Sequence, residues 1–294
     1  MSRLFVFGWG FSARALSRRL AAEGWTTTAT SRDPARRAAG DPDADLVDPA
    51  DPAALVEAVR GARAVLAAAP PTPEGCPALP AVVPALARAE AFPDWLGYLA
   101  TTGVYGDYGG GWVFEESALK AQSPEGARRV AAERDWLEVG RGMGLTVTVH
   151  RLPGIYGPGR SPFDRLRDGT ARRYDKPGQV FSRVHVDDLA TALHASIRRP
   201  RAGGVYNVCD DEPASQAAVT AHAAGLLGLE PPPLEPFRPE TLSPMARRFY
   251  AESKRVSNAR AKAELGWRPA YPSYREGLAA VLAAEGAGAP GRSG

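Results

Sequence analysis

Apolar runs and amphipathic stretches alternate along the first half of the chain. Leu4, Phe5, Val6 and Phe7 form a short apolar run without helical period, the pattern of a strand buried on both faces of a parallel sheet. From Phe11 onward Ala15, Leu16, Leu20 and Ala21 recur at helical spacing, and a second strand is expected over Trp25 to Thr30. The pattern then predicts a short helix over Asp33 to Gly40, a strand end at Asp45 to Asp48 and a helix over Asp51 to Val59. An apolar strand follows over Ala64 to Ala69 and is stopped by Pro70 and Pro71. A helix is expected over Ala78 to Ala91 despite Pro80 and Pro84, then a fifth strand over Trp95 to Ala100. Glu125 to Val139 predicts another helix, and Leu145 to His150 a sixth strand. Strands alternating with helices predict an α/β fold with a parallel, doubly wound sheet.

Beyond Arg151 the pattern changes to glycine, proline and charge. A first domain over residues 1–158 is therefore expected to give way to a smaller region over 159–285. An amphipathic helix over Asp187 to Ile197 and a strand over Val205 to Val208 return the chain to the first domain at about 183–208. Residues 286–294, GAGAPGRSG, have nothing to bury and predict a disordered tail.

The first strand runs straight into Gly8, Gly10 and Ala13, which match G-x-G-x-x-G/A. The first glycine of that pattern allows a tight turn, the second lets a pyrophosphate approach the backbone, and the third small residue lets helix and strand pack closely. Free amides at the helix start, at Phe11 and Ser12, would face the phosphates. Alone, the motif also describes an ordinary glycine turn. Its place between a strand and a helix, with a second strand at βαβ distance, favours the cofactor reading. At the tip of that second strand, where an acidic residue ordinarily meets a ribose hydroxyl, stand Ser31 and Arg32. An arginine there suits a 2′-phosphate, so NADP(H) is expected over NAD(H). Arg32 also reads as a solvated loop charge, and the nearby Arg36 and Arg37 equally suit the same phosphate pocket.

Composition narrows the picture. The 294 residues, 44% of them apolar, can build one large or two smaller domains around a sizeable core. A formal charge of +3 from 36 basic and 33 acidic side chains, with the arginines scattered, argues against nucleic acid or an anionic membrane as partner and leaves a small molecule. No run approaches the roughly 18 apolar residues of a membrane span. Met1 leads into a core strand without a secretory apolar segment, so a cytoplasmic protein is expected. Cys76 and Cys209 form no metal-ligand pattern, and no metal is expected. His185, Asp187 and Asp188 are explained by capping at a helix start.

Tyr98 to Asp107, YLATTGVYGD, resembles the extended short-chain dehydrogenase/reductase superfamily, which includes the sugar-nucleotide epimerases and dehydratases. RLPGIYGPG from Arg151, SRVHVDDLA from Ser182, VYNVCDDEP from Val205 and NARAKAELGWRP from Asn258 resemble its later segments in the expected order. The resemblance spans nearly the whole chain. It implies a Rossmann-type NAD(P)-binding domain with a smaller C-terminal substrate region. It further implies that Gly8, Gly10 and Ala13 serve the pyrophosphate, Arg32 the 2′-phosphate, and Asp45 and Leu46 the adenine. Ala68, Ala69 and Pro70 would pass under the ribose, and Leu152, Pro153 and Gly154 would flank the nicotinamide. Thr101, four residues before Tyr105, would take the catalytic Ser/Thr position, where a hydroxyl can hydrogen-bond a substrate oxygen. Thr101 reads equally as a strand-end hydroxyl capping local backbone.

The departures from the superfamily carry more weight. Most members have G-x-x-G-x-x-G at the turn, and all the chemistry of the group centres on Y-x-x-x-K. Aligning Glu133 on the acidic residue that ends that segment puts Glu125 in the tyrosine position and Arg129 in the lysine position. The superfamily's tyrosine moves the proton while the lysine lowers its pKa and holds the ribose. A glutamate ordinarily ionised near neutral pH cannot donate as a phenol does, and an arginine is an electrostatic substitute that releases no proton. Arg128, Arg129, Glu133 and Arg134 also permit helical i,i+4 pairs, which gives Arg129 a structural reading. The literal Y-x-x-x-K at Tyr250 to Lys254 lies too late in the chain to serve, and its residues instead suit the substrate side. Arg247, Arg248, Lys254 and Arg255 form a basic cluster that suits either a substrate phosphate or carboxylate or a solvated face.

The pattern is thus similar to an atypical subgroup with an intact cofactor turn and a degenerate acid/base pair. Two functions are open at this point. One is an NADP(H)-dependent oxidoreductase or epimerase-type enzyme on a sugar-nucleotide-like small molecule, with Thr101, Glu125 or another group replacing the tyrosine. The other is a non-catalytic NADP(H)-binding redox sensor or regulatory protein.

Overall fold

The computed structural model describes residues 1–288. The expected alternation appears as β1 (Arg3–Phe7), α1 (Phe11–Ala21), β2 (Thr26–Thr30), α2 (Pro34–Ala39), β3 (Asp45–Val47), α3 (Pro52–Val59), β4 (Ala64–Ala67), α4 (Ala78–Ala89) and β5 (Trp95–Thr101). A two-residue strand β6 (Trp112–Val113) precedes α5 (Pro124–Met143) and β7 (Val147–Leu152). The helix starts follow local chemistry: Asp33, Asp51 and Ser123 cap the amides of α2, α3 and α5, each with proline at the first helical position.

The later segments are β8 (Gly154–Tyr156), α6 (Phe163–Arg167), β9 (Arg173–Asp175), β10 (Arg183–His185), α7 (Val186–Arg198) and β11 (Gly204–Asn207). After them come α8 (Gln216–Leu226), β12 (Leu234–Pro236), α9 (Pro244–Tyr250), β13 (Arg255–Val256), α10 (Ala259–Leu265) and α11 (Tyr274–Gly288). A seven-stranded parallel sheet has the order β11-β7-β5-β4-β1-β2-β3. The order reverses between β1 and β4, and in such sheets ligands bind beyond the strand ends at that switch.

Alternation within β1 divides the core. Leu4 and Val6 join Leu16, Leu20, Leu66 and Tyr206 on the face covered by α1 and α7, while Phe5 and Phe7 join Val65, Leu96, Tyr98 and Trp136 on the face covered by α3, α4 and α5. Three small parallel pairs, β10 with β8, β12 with β9 and β13 with β6, fall outside the main sheet. None was anticipated, because strands of two or three residues carry no readable period. A separate apolar cluster around Phe163, Val219, Tyr274 and Leu278 takes in Tyr156 of β8, while Val113 of β6 and Val256 of β13 pack with Val104, Tyr105 and Cys209. The last helix runs to Gly288, three residues into the tail expected to be disordered, and the remainder of that tail lies outside the described residues. No described helix is long and apolar enough to cross a membrane.

His150 on β7 is fully buried between Trp95 and Tyr206, with ring centroids 5.8 and 6.0 Å away. Neither ring nitrogen has a partner among the described residues, and burial pushes the imidazole down to about 3. An unfolded chain takes up that proton near pH 6.5, so between about 3 and 6.5 the unfolded state binds more protons than the folded one. The stability that depends on a neutral His150 is therefore complete above pH 6.5 and falls on acidification, by up to about 1.4 kcal/mol for each pH unit. Urea unfolding should show this decline between neutral pH and mild acid in the native chain and a shallower one in His150→Phe. Parallel declines in the two proteins would remove His150 as the cause.

Candidate active site

Three strand tips meet at Gly8. Its φ of +103° is one that L side chains rarely adopt, and a Cβ there would lie 2.7 Å from the backbone nitrogen of Ala69. Its N–H donates to Thr30 Oγ1 at 2.9 Å. Ala68 and Ala69 in turn donate their N–H groups to the Phe7 carbonyl at 2.9 and 3.1 Å, so the chain leaving β4, with the exposed Pro70, runs against the end of β1. Gly10 is the opposite case, exposed, and a Cβ there would meet nothing within 4 Å. It begins α1 without a side-chain cap, which leaves the first amides at Phe11, Ser12 and Ala13 without intrahelical partners. Buried Ala13 lets the helix close on the sheet. An open backbone surface with free amides fits a dinucleotide pyrophosphate.

The arginines after β2 separate by their partners. Arg36 pairs with Asp41 at 3.2 Å, while Arg37 donates to the Ser31 carbonyl at 2.6 Å and pairs with Asp48 at 2.7 Å. Asp41 also accepts from Trp9 Nε1 at 2.9 Å and pairs with Arg14. Burial alone would raise the Asp41 carboxyl, but the Trp9 bond and the adjacent arginines hold it below its ordinary value. Arg32 is exposed and has no ion pair among the described residues. Asp45, exposed, and Leu46, half-buried, lie on β3, beyond β2 from the glycine turn.

A cavity of about 810 Å³ opens beyond the strand ends, walled by Thr101, Glu125, Pro153 and Gly154 and by Arg183 and Lys254 from the later segments. Thr101 ends β5, and its side-chain oxygen accepts the Gly103 N–H at 3.2 Å, capping a short 3-10 turn over Thr102–Tyr105. Thr101 thus caps local backbone and also lines the cavity, and its own hydroxyl hydrogen is not used by that cap. Glu125, exposed in the first turn of α5, also lines the cavity and lies 3.9 Å from both Arg128 and Arg248. Arg129 does not line it. Its Nη1 donates to the Leu99 carbonyl at 2.6 Å, bracing β5 from the helix side. Leu152 is buried beneath Pro153 and Gly154. Lys254 Nζ donates to the Gly106 carbonyl at 2.6 Å and pairs with Glu252, while Tyr250 is buried in an aromatic cluster with Tyr174, Phe181 and Phe237. The acidic pair after His185 serves the fold: His185 Nδ1 accepts the Asp187 N–H, and Asp188 accepts from the amides of Ala270 and Tyr271. Arg183, quoted above only as part of a segment, was not assigned a role, and no local period distinguishes it.

One buried network supports these walls. Arg151 makes a two-pronged ion pair with Glu133, with Nη2 2.7 Å from Oε2 and Nε 3.1 Å from both oxygens. Its Nη1 donates to the Tyr105 hydroxyl at 3.0 Å and the Glu115 carbonyl at 2.9 Å. Tyr105 donates onward to Asn207 Oδ1 at 2.7 Å, and the Asn207 N–H donates to Glu115 Oε1 at 2.8 Å. Burial pushes the Glu133 carboxyl above its ordinary value against the pull of Arg151, and pushes the Tyr105 phenol up to about 12.

Comparison with known proteins shows relatives in sequence and in fold. The family model described as the NAD dependent epimerase/dehydratase family matches residues 81–209. The chain is 33% identical over 180 residues to a 3-diazoavenalumate denitrifying reductase of Streptomyces, a match covering 56% of this chain and only 58% of that protein. It is 46% identical to a functionally unknown conserved protein of Silicibacter pomeroyi, whose structure superposes with a TM-score of 0.89 over 97% of this chain and 99% of the other. The dTDP-glucose 4,6-dehydratase DesIV of Streptomyces venezuelae, solved with NAD bound, shares the fold at a TM-score of 0.78 and 21% identity, over 97% of each chain.

The network makes a direct prediction. Glu133→Gln leaves a buried guanidinium without its carboxylate, and such a loss costs about 3–5 kcal/mol. Urea unfolding of the variant should show that deficit, and a deficit below about 1 kcal/mol, the scale of an exposed pair, would mean that the ion pair does not brace the site.

Proposed function

We propose that this chain, whose residues 81–209 match the NAD dependent epimerase/dehydratase family, is an NADP(H)-dependent oxidoreductase or epimerase-type enzyme acting on a small molecule held in the 810 Å³ cavity. The observation that carries this reading is the place of the cavity in the sheet: Thr101 at the end of β5 and Pro153 and Gly154 just after β7 line it, and these strands run parallel to β1, whose same end leads into the glycine turn. A volume of this size suits a ligand on the scale of a sugar nucleotide.

A nicotinamide bound beside Pro153 and Gly154 supplies or accepts a hydride. In this reading the chain's own groups do the rest. The Gly103 amide fixes the Thr101 oxygen, which leaves the hydroxyl hydrogen to be donated to a substrate oxygen. Glu125 stands at the mouth, in the position of the superfamily's tyrosine, and is the group to exchange a proton with solvent. Arg129 holds the backbone of β5 in place and thereby positions Thr101. Arg32 supports a preference for NADP(H), because its two arginine neighbours are engaged with Asp41 and Asp48 while its own fork of donors is exposed and fits a phosphate. Arg129, engaged with backbone and unavailable to assist a phenol, favours the competing reading of a cofactor-binding sensor without turnover.

Calorimetric titration tests the cofactor assignment: Arg32→Ala should weaken NADPH much more than NADH, and equal losses would take Arg32 out of the phosphate site. A substrate screen following NADPH absorbance separates enzyme from sensor, since tight binding without turnover across the screen supports the sensor. Given a substrate, Thr101→Val should lower kcat by about 100-fold while leaving cofactor affinity within about twofold, with Glu125→Gln tested beside it. Turnover indifferent to both substitutions would show that the proton chemistry lies elsewhere.

A further inference from the structure

Arg183 is not used in that reading. It is only 8% exposed, yet it lines the cavity. In the parallel pair of β8 and β10 it lies beside Gly154, and a Cβ on Gly154 would meet only the Ser182 carbonyl, at 3.9 Å. The missing side chain leaves room over the strand next to the segment assigned to the nicotinamide.

The partners of Arg183 are all neutral. Nη1 donates to the carbonyls of Phe181 at 2.9 Å and Ala214 at 3.0 Å, and Nη2 to Gln216 Oε1 at 3.3 Å. Nε has no hydrogen-bond partner among the described residues, and no ion pair there reaches this guanidinium. The nearby carboxyl is Asp210, which burial pushes up to about 8 and whose oxygens have no hydrogen-bond partner among the described residues, so it makes no ion pair with this guanidinium. Burial works against the Arg183 cation in the same way. A buried cation without a counter-ion is costly, and an anion entering from the cavity relieves that cost. Five cationic side chains against three carboxylates line the cavity, which favours such an anion. The two carbonyls on Nη1 fix the guanidinium plane. This leaves the edge formed by Nε and Nη2, whose parallel N–H groups match the two oxygens of a carboxylate.

We propose that Arg183 binds a carboxylate of the substrate through its Nε and Nη2 edge, so that the cavity selects an organic acid. The proposal rests on the cavity being the substrate site. Its test uses the full chain, with and without NADPH, titrated with benzoate, benzamide and phenyl phosphate by calorimetry. Benzoate should bind at least about tenfold more tightly than benzamide, a difference of about 1.4 kcal/mol, and no more weakly than phenyl phosphate. Arg183→Gln should abolish the preference for the acid. Should that variant fail to fold for want of its two carbonyl bonds, Gln216→Glu decides, because it supplies a counter-ion within reach of Nη2 and should abolish the preference equally. Absence of the preference in the native chain, its survival in Gln216→Glu, or tighter binding of phenyl phosphate would each overturn the proposal. The NADPH titration reports separately on the cofactor: its failure would sink the functional reading, whereas normal NADPH binding with no acid preference would sink this inference alone.

Discussion

The Arg151 guanidinium is the constraint on which the site depends. It stands near the end of β7, two residues before the segment that walls the cavity, and Glu133 of α5, Tyr105 beyond β5 and the Glu115 carbonyl all converge on it. A buried ion pair of this kind is weak support for overall stability, because the desolvation cost is large. Its effect is on geometry. The turn carrying Thr101, the helix carrying Glu125 and the Pro153–Gly154 segment cannot shift independently, because each leads into a group that Arg151 holds.

The same burial holds three phenols around the site in their protonated form. Tyr105 donates into the network and is raised to about 12, Tyr98 is raised further by burial under α5, and Tyr156 is pressed against α11 near the carbonyl of Ser273. Each keeps its proton, and of the three only Tyr156 also lines the cavity. Thr101, half-buried, and Glu125, exposed, line the same cavity without such burial.

How much of this the sequence disclosed depends on the distance over which each feature is determined. The strand–turn–helix at Gly8 was legible because an apolar run, a positive φ and a helical period are local properties. Arg32, Arg36 and Arg37 could not be told apart, because Asp41 and Asp48, which engage the second and third, are brought to them by the fold. Thr101 carried two readings that the structure makes compatible. Arg129 was placed correctly on its helix, but only packing decides that it turns toward Leu99 and not into the cavity. Arg183 sits on a three-residue strand paired with another three-residue strand, and nothing in its neighbourhood along the chain distinguishes a buried cavity arginine from a solvated one.

The return of β11 to the main sheet after the chain has built β8 and β10 limits how the chain can be divided. Asn207, which receives the Tyr105 proton donor, arrives only after the chain has passed through the cavity wall, and Cys209 and Asn258 then fasten the following segments to one another. A break in the chain between β8 and β10 puts Tyr105 and its acceptor on opposite sides of the cut. The later segments are thus no separable cassette, because the first half completes its own buried network only with a strand that arrives after them.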